Sequence, residues 1–209
     1  QHGVAGGPSH ARPPCAETML VRVFRRALST SLSRPVPRHR VAVRVPATSA
    51  NMGPGYDCLG IALGEYNTLV VERADEFELT IEGEGTETLP TDKSNFYYRA
   101  FQMGFEASAP AGTPVPPVSV HCINAIPPAR GMGSSSACLV AGVSAGFALN
   151  GYDVQDGATR MRVYQICAEQ EGHPDNVAPA IYGGLQLSFR PAPAMPWLPQ
   201  RGPIAGDGT

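Results

Sequence analysis

The run ARGMGSSSACLVAGVSAGFAL, residues 129–149, limits this chain's fold more than any other segment. Gly131 and Gly133 allow positive φ and let the main chain approach a ligand closely. Ser134, Ser135 and Ser136 follow at once, and from Ala137 to Leu149 the residues are small or apolar, which predicts a helix ending near Asn150 and Gly151. A helix made of Ala, Gly, Val and Ser packs closely against its neighbours. Its first turn has unpaired N–H donors and a partial positive charge, which together suit a phosphate without any lysine. The segment is not the GxxxxGK[ST] loop, and Ser136 stands where a dinucleotide fingerprint would have its third glycine. Taken alone, it reads either as a phosphate loop or as a glycine-rich helix start capped by serines.

The surrounding pattern predicts an α+β fold. Val41, Val43 and Val45 alternate with polar or small residues, as in a half-buried strand. Leu69 to Val71 and Phe77 to Ile81 read as two more strands, with a turn-like stretch at Ala74 and Asp75 between them. Ser94 to Ala107 is expected to be helical, capped by Ser94, with Phe96, Ala100, Met103 and Ala107 on one face. Val118 to Ile123 reads as a strand, Ala158 to Glu169 as a helix and Leu185 to Phe189 as a closing strand. The three regions expected are 1–40, a disordered leader with a transit-peptide-like segment; 41–190, the folded domain; and 191–209, an irregular Pro-rich tail.

Charge and cysteines narrow the function classes. A net charge of -2, with the basic excess at the N-terminus, gives no general attraction to nucleic acid. No apolar run reaches the roughly 20 residues needed to span a bilayer, so no membrane partner is expected. The 5 cysteines are odd in number and lack C-x-x-C spacing, which argues against a disulfide framework or a zinc site. From Met19 the chain carries Arg22, Arg25, Arg26, Arg34, Arg38 and Arg40, and no acid falls between Glu17 and Asp57. Leu20, Phe24 and Leu28 would form one apolar stripe, the pattern of an organelle transit peptide. Met19 is then the expected start, and finding earlier residues by N-terminal sequencing of the native protein would refute this. A plastid or a mitochondrion is the expected location, and the cytoplasm if the segment is only a basic tail.

Three segments in order carry a family resemblance. Pro127 through Gly131-Met132-Gly133-Ser134-Ser135 resembles the P-x-x-x-G-[LM]-G-S-S signature of the GHMP kinases. VPATSANMGPGYDCLGIAL, Val45 to Leu63, and EGHPDNVAPAIYGG, Glu171 to Gly184, resemble the first and third signatures of the homoserine kinase branch. The resemblance implies a GHMP kinase N-terminal domain of the ribosomal protein S5 domain 2-like type. It also implies a C-terminal domain that this chain lacks, together with the basic residues for the substrate carboxylate.

It further implies ATP and Mg2+ as cofactors and L-homoserine as the small-molecule partner, phosphorylated on its side-chain hydroxyl. ATP would lie on Pro127, Gly131, Met132, Gly133, Ser134, Ser135 and Ser136, with Asn95 near the base. Asn51, Asp57, His173 and Asn176 would meet the amino acid, with Asn176 beside the reacting hydroxyl. Glu169 and Ser135 would hold the metal, with Glu171 as the competitor to Glu169. Asp175 is not assigned as a base, because members of this family are thought to lack a dedicated one. A homodimer is compatible with this reading. The alternatives are a GHMP kinase for mevalonate or a sugar, an inactive ATP-binding module, and an RNA-binding protein of the same fold type. The SAN-x-G-P-G-Y-D and His-Pro-Asp-Asn segments weigh against the first, and the lack of a basic–aromatic patch against the last.

Overall fold

The computed structural model describes residues 35–192 and 194–202. The expected leader through residue 34, with most of the transit-peptide-like segment, lies outside the described residues. Residues 35–202 fall in one compact unit. It has six strands: β1 (Arg40–Ala50), β2 (Leu59–Arg73), β3 (Glu78–Gly83), β4 (Val118–Asn124), β5 (Leu185–Phe189) and β6 (Leu198–Arg201). Its helices are α1 (Phe96–Ser108), α2 (Ser134–Leu149), α3 (Gly157–Glu171) and the short α4 (Val177–Tyr182). None of these helices is long and apolar enough to cross a membrane.

β2 organises the sheet. It pairs antiparallel with β1 from Arg40↔Glu72 to Ala50↔Gly60. Its other edge meets β4 over Thr68 to Arg73 and β5 over Leu59 to Ile61. The order β3-β4-β2-β5-β6 puts β4 between β2 and β3, so these two strands do not pair across the turn-like stretch at Ala74 and Asp75. β3 instead runs parallel to β4, joined to it through α1. A parallel partner needs a long connection, and α1 supplies it while burying its apolar face.

Two expectations at the ends are corrected. The tail is not wholly irregular, because Leu198–Arg201 adds to β5 as an antiparallel edge strand. Pro199 sits in that edge strand, where a missing N–H is tolerated. Packing also begins before residue 41: Arg38 N–H donates to Leu149 O at 2.8 Å, and Gly151 lies against Val36 O.

The core lies where α1 crosses α2. Tyr97, Phe101, Phe105 and Phe147 are fully buried there, each contributing roughly 2–3 kcal/mol by burial. Glycines set the closeness: Gly104 lies on the backbone of Val143, and Gly142 and Gly146 lie on the backbone of α1. The small-residue run of α2 thus serves the helix crossing as well as the loop before it.

Candidate functional site

The phosphate-loop candidate is a tight left-handed turn that leads into α2. Ala129, Gly131 and Gly133 have φ of 57°, 70° and 65°. Gly133 is the N-cap of α2 and supplies no side-chain hydrogen bond to the helix start. The N–H groups of the first turn are therefore open to an external acceptor. The serines do not serve as the cap: Ser134 is partly exposed, Ser135 exposed and Ser136 buried. Ser136 Oγ donates to Glu171 Oε1 at 3.1 Å.

A buried polar network fixes the loop's entrance. Asn67 Oδ1 accepts from Ala125 N and Ile126 N, each at 2.9 Å. Asn67 Nδ2 donates to Tyr97 Oη at 2.8 Å, and Tyr97 Oη donates to Asn124 Oδ1 at 2.7 Å. Burial holds the Tyr97 hydroxyl well above the usual phenol range. Sequence reasoning missed Asn67 and Tyr97. A buried Asn in a strand and a Tyr in the first turn of a helix look like ordinary core residues until the topology joins them.

The loop's other wall is β1. A register shift between Pro46 and Thr48 breaks the alternation, so Ala47 and Thr48 are both buried. Thr48 N–H donates to Met132 O at 3.1 Å, and Thr48 Oγ1 donates to Asn176 Oδ1 at 2.7 Å. The Gly133 Cα faces both Thr48 Oγ1 and Asn176 Oδ1, leaving no room for a Cβ.

The SAN-x-G-P-G-Y-D turn and the His-Pro-Asp-Asn segment form a second wall. Asn51 and Asp57 have φ of 59° and 55°, and Asp57 N donates to Asn51 Oδ1 at 3.0 Å. Asn51 thus closes its own turn and keeps its amide NH2 for other partners. Gly60 brings β2 onto the Asp175 carbonyl, where no Cβ fits. Ligand atoms of Asp57, His173 and Asp175 lie within 4.8 Å of one another. His173 and Asp57 are exposed, whereas Asp175 is 1% exposed. Asp175 Oδ1 lies 3.2 Å from His173 Nδ1 and accepts from Asn176 N at 3.0 Å, while its Oδ2 is buried without a hydrogen-bond partner.

The expected site residues divide on geometry. Pro127, Gly131, Met132, Gly133, Ser134, Ser135 and Ser136 form one continuous loop and helix start, which Asn176 meets. Asn51, Asp57 and His173 line the adjoining wall. Glu169 faces solvent, and it is Glu171 that hydrogen-bonds the loop's Ser136. Residues 157–171 continue as helix two residues past the expected end at Glu169, and those residues bring Glu171 round to the loop. Asn95 is 2% exposed and is itself the α1 cap, in place of Ser94. Its Oδ1 accepts from Tyr97 N at 2.9 Å and its Nδ2 donates to Pro90 O at 2.6 Å. Both ends of its amide are committed inside the protein.

Residues 95–184 match the family model described as GHMP kinases N terminal domain. This chain carries a GHMP kinase N-terminal domain. It is 45% identical over 148 residues to a homoserine kinase of Desulfitobacterium hafniense, covering 71% of this chain and 48% of that one. It is 41% identical over 157 residues to a homoserine kinase of Rhodococcus erythropolis, covering 74% of this chain and 49% of that one. The chain thus spans about half the length of the curated relatives it matches. Among solved structures it is similar to a homoserine kinase of Cytophaga hutchinsonii, with a TM-score of 0.62 at 26% identity over 83% of this chain and 55% of that one. A mevalonate kinase of Methanococcus jannaschii shares the fold, with a TM-score of 0.54 at 15% identity over 70% of this chain and 52% of that one.

Proposed function

We propose that this GHMP kinase domain serves the transfer of the ATP γ-phosphoryl group to the side-chain hydroxyl of L-homoserine. The products would be O-phospho-L-homoserine and ADP, a step of threonine biosynthesis. The observation that carries this reading is the meeting of all three signature segments around Gly133, Thr48 and Asn176. The relatives named homoserine kinase support the choice of substrate.

The loop fits a triphosphate on its own geometry. Its glycines leave the main chain bare, and the first-turn N–H groups of α2 are open. Glu171, joined to Ser136, and Ser135 are the protein oxygens nearest the role of magnesium ligands, with Glu171 preferred to Glu169. When bound, Mg·ATP supplies the transferable phosphoryl group and neutralises its charge. Asp57 and His173, backed by the buried Asp175, form a polar pocket suited to the ammonium end of an amino acid. Asn51 would donate its free amide there, and Asn176 would orient the attacking hydroxyl toward the loop. Asp175 is enclosed behind His173 and Asn176, so it is not a candidate base. Positioning and electrostatic stabilisation are sufficient for this class of reaction.

The test is 31P NMR of the protein with Mg·ATP and L-homoserine. A new phosphomonoester signal with matching ADP is expected, dependent on L-homoserine and lowered at least about 100-fold by Asn176→Ala. ATP turnover indifferent to L-homoserine, or dependent on mevalonate or galactose instead, would refute the proposal.

A further inference from the structure

We infer that Thr48 is a positioning residue that sets the distance between the phosphate loop and the acceptor pocket, acting through Asn176. The inference rests on the kinase reading above for its catalytic consequence, but its geometry stands alone. Thr48 is fully buried and joins three segments far apart in sequence. Its N–H holds the main-chain carbonyl of Met132 in the loop, and its hydroxyl donates to the side-chain Oδ1 of Asn176 at the start of α4. The register shift after Pro46 turns Thr48 inward, out of the alternation that its place in β1 would otherwise dictate.

The orientation of the Asn176 amide follows from its two neighbours. Nδ2 lies 3.5 Å from the Asp175 carboxylate, and a carboxylate oxygen calls for the NH2 end. The carbonyl end must then meet the Thr48 hydroxyl, which donates to it. Asn176 is partly exposed, so its remaining N–H can serve a ligand. Without the Thr48 hydroxyl, the carbonyl end loses its partner and the amide is free to rotate. Gly133 keeps this contact close, because any side chain there would wedge Thr48 and Asn176 away from the loop.

Thr48→Val keeps the side-chain shape and removes the donor, whereas Thr48→Ser keeps the donor. In 15N–1H spectra of the chain, the Asn176 side-chain amide pair, assigned by its loss in Asn176→Ser, should move in Thr48→Val and return in Thr48→Ser. In the kinase assay, kcat should fall about tenfold in Thr48→Val with the KM for ATP nearly unchanged, and recover in Thr48→Ser. A purely structural residue would lower the unfolding midpoint and leave both the amide pair and kcat of the folded protein as they were. An unmoved amide pair in folded Thr48→Val overturns the inference. If the valine variant does not fold, the unsubstituted chain decides: the Thr48 hydroxyl proton should be resolved and slow to exchange, and rapid exchange overturns it. Lack of any turnover in the unsubstituted protein counts against the kinase reading, while the amide signal still decides the role of Thr48.

Discussion

Single side chains fix the two ends of the loop in different ways. At its entrance, Tyr97 and Asn67 hold Ala125 and Ile126 through a buried chain of hydrogen bonds. Tyr97→Phe leaves the Asn67 and Asn124 side chains short of a partner, so unfolding stability should drop by about 1–3 kcal/mol in a denaturant titration. Buried thiols give a second prediction. Burial pushes Cys122 up to about 12 and Cys138 up to about 11 from an ordinary 9.0. The folded chain therefore keeps protons that the unfolded chain releases as pH rises through about 9. The stability these groups contribute is intact below that pH and lost progressively toward pH 11 to 12, as thermal midpoints across the range would register. At pH 8, iodoacetamide should label the half-buried Cys58 well before the fully buried Cys122 and Cys167, read by peptide mapping.

At the scale of elements, the α1–α2 crossing is the most demanding contact. Gly104→Ala would press a methyl into the Val143 backbone, where neither helix can give way easily. A loss of about 1–3 kcal/mol or more is expected. Gly157→Ala, at the first position of α3 with open space around it, should be neutral or stabilising by up to about 1 kcal/mol. Equal effects in the two variants would remove the close crossing from the explanation of this fold. Most elements were legible from periodicity, as in the valine alternation of β1 and the small-residue run of α2. The pairing of β3 with β4 was not, because periodicity identifies a strand without its partner. β6 was hidden by its proline, Pro199, which an edge strand tolerates and a central strand does not.

At the scale of the whole molecule, the signature segments named the candidate site, and tertiary structure arranged the residues within it. Gly131 and Gly133 announced their positive φ in the sequence, since few other residues adopt it. Glu171 rather than Glu169 reaches the loop because α3 runs to its own last residues, a matter of helical phase beyond what spacing can fix. Asn95 turned out to be a helix cap because its backbone, not its family position, commits its side chain. Thr48 lay unmarked inside a signature because its importance depends on a strand irregularity that only Pro46 hinted at. The central claim is that the Gly131–Ser136 segment holds the phosphates of ATP. It is tested most directly by titrating Mg·ATP into 15N-labelled chain and mapping the amide shifts, which registers even weak binding. The largest shifts should fall on Gly131, Gly133 and Ser134 to Ser136, with adenosine failing to reproduce them. Shifts confined to other surfaces, or loop amides that stay unmoved at saturating nucleotide, would contradict it.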